Sequence, residues 1–154
     1  MKKMDKKVLE YFLTTEYKEG FKAACYQLDE RIYLATGISV VDITKYGIPH
    51  VIVCYDWTNG INEITEHIKT HVDGSPDYIK HIKLKNKMGI YQYSDREWGL
   101  LNLGGLQVPK PHTIAILRII TNIFPKNFVI EIYVSIEEAR ICVNGEYFAT
   151  VMGV

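Results

Sequence analysis

From Asn127 to Val154 apolar and polar positions alternate with a period of two. Phe128, Ile130, Ile132 and Val134 interleave with Val129, Glu131, Tyr133 and Ser135, the pattern of a strand with one face against a core. Ala139–Val143 and Glu146–Met152 read as two more strands flanking Asn144-Gly145, a dipeptide that tolerates the two positive φ angles of a type I′ hairpin turn. That turn sets Ile141 opposite Phe148, a β-branched and aromatic cross-strand pair.

Upstream the period lengthens. Met4, Val8, Tyr11 and Phe12 recur at helical spacing within Met4–Thr14. Tyr17, Phe21, Ala24, Cys25, Leu28, Ile32 and Ala35 follow at steps of three and four, which predicts a helix capped by Thr14 or Thr15 and stopped at Gly37. The competing reading is a hairpin, Phe21–Leu28 and Arg31–Thr36 around Asp29-Glu30; the unbroken apolar stripe of about five turns favours the helix. Ile38–Thr44 and His50–Trp57 predict a hairpin across Lys45–Pro49. Asn59 caps a predicted helix, Gly60–Val72, with Ile61, Ile64, Ile68 and Val72 inward and Gly74-Ser75-Pro76 as its stop.

Tyr78–Lys85 and Met88–Tyr93 predict another strand pair. Ser94–Pro111, interrupted by Gly99, Gly104, Gly105 and Pro109, predicts an irregular loop. Thr113–Phe124 is apolar on nearly every side; Pro111 near its start favours a buried helix over the central strand its β-branched content would also allow. The sum is a single α+β domain over residues 1–154, a mainly antiparallel sheet with helices packed on one face.

Composition narrows the function classes. The 18 basic and 18 acidic side chains cancel, which argues against a nucleic-acid partner held through many phosphates. The densest basic runs are Lys2, Lys3, Lys6 and Lys7, and Lys80, Lys83, Lys85 and Lys87. Cys25, Cys54 and Cys142 lie far apart in apolar segments without CxxC spacing, which argues against a disulfide framework or structural zinc and for free thiols in a reducing compartment. Asp5 and Glu10 interrupt any leader-like apolar run, and no run is long enough to span a bilayer. The expectation is a cytoplasmic or host-cytosolic protein without a membrane partner.

Glu63, His67 and His71 stand four and four apart, so each advances about 40° along one helix face. A HxxxH pair with a carboxylate one turn earlier is a workable metal site. With His81 or Asp77 as a fourth group, it would serve a metal-dependent hydrolase. The same wheel places His71 at the margin of the apolar stripe and turns His67 and Glu63 toward water, where a solvated Glu–His pair accounts for them. No catalytic residue or cofactor is assigned. His50, His81 and His112 are isolated, the cysteines lie mid-element where burial raises a thiol pKa, and no phosphate loop, GxSxG or HExxH occurs.

The remaining signal concerns binding. Eleven tyrosines and two tryptophans are spread through a neutral chain. Trp57 ends a predicted strand, and Tyr93, Asp95, Arg96, Trp98 and Leu101 crowd the glycine-rich stretch. Such residue types dominate protein–protein hot spots. The expectation is a non-catalytic protein-binding module of inhibitor, immunity or adaptor type, contacting another protein or itself as a homo-oligomer through Trp57, Tyr93, Asp95, Arg96, Trp98 and Leu101. The alternatives are that the loop folds back over an open sheet edge, or that a cavity between sheet and helices takes a small ligand.

Overall fold

Alternation in the chain becomes a wide sheet. The structure, a computed structural model, describes Lys7, Phe12 and residues 24–28, 30–36, 38–46, 54–56, 63–74, 76–95 and 99–154. In chain order its strands are β1 (Ala24–Leu28), β2 (Arg31–Ala35), β3 (Ser39–Asp42), β4 (Cys54–Asp56), β5 (Lys80–Leu84), β6 (Ser94–Asp95), β7 (Leu100–Leu103), β8 (Leu106–Pro109), β9 (Ile130–Val134), β10 (Glu138–Val143) and β11 (Glu146–Met152). The helices are α1 (Glu63–Asp73), a 3-10 helix (Lys87–Tyr93) and α2 (Lys110–Ile123). Eight strands form one sheet in the order β4-β1-β2-β3-β11-β10-β9-β5, and β6-β7-β8 form a second. The β1–β4 pair is parallel and the other pairs of the large sheet are antiparallel. A mainly antiparallel α+β architecture is what the pattern predicts.

The C-terminal strands and the helix after Pro111 stand where the sequence places them. Asn144 and Gly145 carry the positive φ angles, 52° and 82°, of the expected turn. The register differs by one position: Cys142 pairs with Tyr147 and Ile141 with Ala149, so a β-bulge leaves Phe148 unpaired. Phe148 thereby joins the same core as Ile141, packed edge-on against Tyr46 and Phe124.

Several elements differ from expectation, each for a physical reason. Of the predicted helix from Tyr17 to Ala35, the described residues form the hairpin β1–β2, with Cys25 opposite Leu34 and Tyr26 opposite Tyr33; residues 17–23 lie outside the described residues. Both faces of this pair are covered, so apolar residues run on continuously and mimic a helical stripe. Among the described residues β3 and β4 do not form the predicted hairpin; β4 lies beside β1, while β3 pairs with β2 and β11. Residues 88–93 are a 3-10 helix instead of a strand, started by Asn86, whose side chain accepts a hydrogen bond from Met88 N. The partner of β5 is the distant β9. The supposedly irregular stretch holds the hairpin β7–β8, turned by Gly104 and Gly105 at φ 68° and 107°. Of the predicted N-terminal helix, Lys7 and Phe12 are described, both helical, with Phe12 fully buried; the rest of Met4–Thr14 lies outside the described residues.

The two α-helices lie on opposite faces of the sheet, which corrects the one-face arrangement. Leu34 and Val41 pack in one core with Ile116, Leu117 and Ile120 of α2. Their neighbours Tyr33 and Val40, which a strand points the other way, pack with Ile68 and Val72 of α1. Thr150 secures α1 on that side by donating to the His71 carbonyl at 2.8 Å. Leu101, Leu103, Leu106 and Val108 of the small sheet join the α2 core. Among the described residues no helix is long and apolar enough to cross a membrane.

The α2 core predicts a pH dependence. His112 is 3% exposed, and burial pushes its pKa from 6.5 down to about 4. The unfolded chain therefore binds the extra proton between those values, so stability is complete above pH 6.5 and falls until about pH 4. The loss should reach roughly 3 kcal/mol. Denaturant melts across that window should show this slope flattened in His112→Gln.

Candidate functional site

Between Tyr78 and Tyr93 the chain carries four lysines, one histidine and no carboxylate. The alternation in β5 turns Ile82 and Leu84 into the α2 core and leaves Lys80, His81 and Lys83 exposed. Because β5 ends the strand order, one of its edges has no neighbouring strand among the described residues. Here the unequal charge distribution of a neutral chain meets an open sheet edge.

Side-chain contacts hold this surface in shape. The Lys80 stem lies against Gly104 of the β7–β8 turn, and its ammonium is 5.7 Å from the Tyr93 ring centroid. Lys110 sits 5.3 Å over Tyr91. His81 stacks on Tyr133 at 4.5 Å, and Tyr78 lies 5.4 Å from the same ring. His81 Nε2 is 2.7 Å from Glu131 Oε2, to which the Tyr133 hydroxyl also donates at 3.2 Å. Around this frame Tyr78, Ile79, Met88, Tyr91 and Ile136 are large apolar residues left exposed, Ile136 at 78%. Ile79 N donates to Val134 O at 2.7 Å, which brings Ile79 beside the β9–β10 turn that carries Ile136.

A second feature opens where the sheet splits. The β3–β11 register covers only Ser39–Val41 against Ala149–Val151. Beyond it the turn at Thr44–Tyr46 and the bulged β11 leave a cleft of about 410 Å³, with Tyr33, Tyr46, Phe124, Tyr147 and Phe148 in its walls. Most of its charges are engaged: Arg31 with Asp42 at 2.9 Å and Lys45 with Glu146 at 3.0 Å. Arg140 Nε meets Glu138 at 3.4 Å, and His71 Nδ1 is 3.8 Å from the same carboxylate.

Arg140 Nη2 is buried without a hydrogen-bond partner among the described residues. A Cβ added to Gly74 would come within 3.3 Å of it, so the guanidinium sits at the C-terminal end of α1, where the helix dipole favours a cation. Thr150 spends its proton on the His71 carbonyl, so the Tyr147 hydroxyl donates to Thr150 Oγ1 at 2.7 Å. Burial pushes that phenol far above its usual range and keeps it neutral. Burial, reinforced by Glu131, likewise pushes the Cys142 thiol up. Aromatic walls and mutually paired charges suit binding, and these groups are poor nucleophiles.

The structure describes only some of the residues singled out from the sequence. His71 faces Glu138, and the side chains of Glu63 and His67 lie outside the described residues. His81 is engaged with Glu131, and Asp77 is exposed. No group of three or more His, Cys, Asp or Glu among the described residues could hold a metal ion. Trp57, Arg96 and Trp98 lie outside the described residues, as does the Asp95 side chain, whose backbone belongs to β6. Tyr93 is half-buried against the core. Leu101 is 0% exposed, so its expected surface position is corrected: it is a core residue. Sequence reasoning noted the lysines of Tyr78–Lys87 as composition alone; the run of residues without a carboxylate, bounded by Asp77 and Asp95, was the signal for a one-signed surface.

Comparison of the chain with protein-family models, curated proteins and solved structures finds no match in any of the three.

Leu101 supplies a direct check on this assignment. Leu101→Ala should cost about 2–5 kcal/mol in denaturant melts, the range for truncating a buried leucine. Leu101→Glu should abolish the cooperative transition instead of sparing the fold, as it would at a surface contact.

Proposed function

We propose that the chain is a non-catalytic binding module acting by protein–protein contact, with the β5 edge and its flanking residues as the contact surface. A role as inhibitor, immunity factor or adaptor fits such a surface. The observation that carries the reading is exposed Tyr78, Ile79, Met88, Tyr91 and Ile136 beside four lysines in a segment that contains no carboxylate. Edge lysines alone are explained as protection against unwanted strand pairing, but protection gives no reason to leave Ile79 and Met88 in water. Apolar anchors supply affinity, and a one-signed field steers a partner of opposite charge. A second copy presenting β5 would set lysines against lysines, so the partner is a different chain.

The cleft favours a second reading, a small-ligand site, because its volume falls within the range of ligand pockets and its walls are aromatic. The hydrolase alternative rests on Glu63 and His67, whose side chains lie outside the described residues, and on His71, which faces Glu138.

The contact reading is tested by affinity purification from the native host with wild type and the double variant Ile79→Asp/Met88→Asp. A protein captured by wild type should fall at least about tenfold with the variant, equivalent to about 1.4 kcal/mol, while thermal melts stay within a few degrees. Equal capture by both would refute the surface assignment.

A further inference from the structure

We infer that the β5 edge accepts an extended segment of a partner protein, alternating acidic and apolar residues, as an additional strand of the large sheet. This rests on the protein-contact reading and specifies its mode. In an antiparallel strand every second residue turns its N–H and C=O away from its paired neighbour. The last strand of a sheet therefore offers a row of unspent donors and acceptors, and among the described residues β5 is the last strand of the large sheet. Strand addition uses these groups for affinity and alternate side chains for specificity.

The side chains define the occupant. On one face of the added strand its residues would lie beside His81 and Lys83; on the other, beside Lys80, Ile82 and Leu84. Glu131, the register partner of Lys83 on β9, is taken up by His81 and Tyr133. The lysines of β5 and of the turn into the 3-10 helix thus have no carboxylate within their own segment. Glutamates or aspartates on the first face would supply those charges, each cross-strand pair adding modestly. Apolar residues on the second face would extend the rim of the α2 core toward exposed Met88. A nucleic acid could meet the lysines and stack on Tyr78 or Tyr91, but it would leave the main-chain edge unused, so the observations favour a peptide strand.

The experiment uses the full chain and a blocked peptide of about nine residues, near the usual strand length, alternating valine and glutamate. Fluorescence anisotropy should show binding that weakens with salt, with amide shifts concentrated at Lys80–Leu84 in NMR. Methylating alternate peptide nitrogens on the hydrogen-bonding edge keeps the charge and removes the ladder, and should weaken binding at least about tenfold. Lys83→Glu, on the face that would meet the glutamates, should weaken this peptide and gain the valine–lysine counterpart, a charge-swap rescue that also shows the variant is folded. Undiminished binding of the N-methylated peptide, no binding of the acidic one, or preference for an oligothymidylate strand would overturn strand addition. If the peptide fails while Ile79→Asp/Met88→Asp still loses the captured protein, the contact surface stands and this mode falls; if both fail, both fall.

Discussion

Three residue pairs join the halves of the large sheet. Ser39, Val40 and Val41 meet Val151, Thr150 and Ala149, and this short junction unites β4-β1-β2-β3 with β11-β10-β9-β5. A hydrogen bond from Met152 N to Ile38 O at 2.8 Å extends it, and the buried Thr36 and Ser39 hydroxyls satisfy each other at 2.8 Å beside it. Val41, Ala149 and Val151 pack with the α2 core, whereas Val40 lies in the α1 cluster. Without the junction two backbone edges would lose their partners inside the protein, where unpaired groups are costly. Both helices, the cleft and the distance between the sheet's outer edges depend on those pairs.

Local physics explains which parts of this architecture could be read from the chain. The strands around Asn144-Gly145 and the helix after Pro111 declare themselves through alternation, turn chemistry and an all-apolar run. Leu101, Leu103, Leu106 and Val108 about Gly104-Gly105 carry the same hairpin signature, which the crowd of aromatic and charged residues just before them obscured. Non-local choices left no such mark. The covered faces of β1 and β2 resemble a helical stripe, a bulge shifted the Phe148 register, and nothing near β5 in sequence says that β9 is its partner. The basic run was visible as composition, but its exposure at a sheet edge is a product of strand order.

The two faces of the sheet divide the remaining chemistry. One face closes over a mainly apolar core and keeps His112 neutral inside. The other is covered by α1 across β2 and β3, while around β9 and β5 it presents Glu131, Tyr133 and His81 in a bonded group. In the cleft and on this outer face most charged groups answer one another; the lysines following Tyr78 do not. That contrast is what the proposed contact surface rests on.

The positions of β4 and β5 at opposite ends of the strand order bear on how the chain reaches this state. The connection from Asp56 to Lys80, which contains α1, links the first strand of that order to the last, and α1 packs against Tyr33 and Val40 of one half and receives the Thr150 hydroxyl of the other. This strap finds its seat only when the two halves are already joined. This predicts that α1 docks late with small φ-values, so that weakening its contacts should accelerate unfolding while leaving the refolding rate nearly untouched.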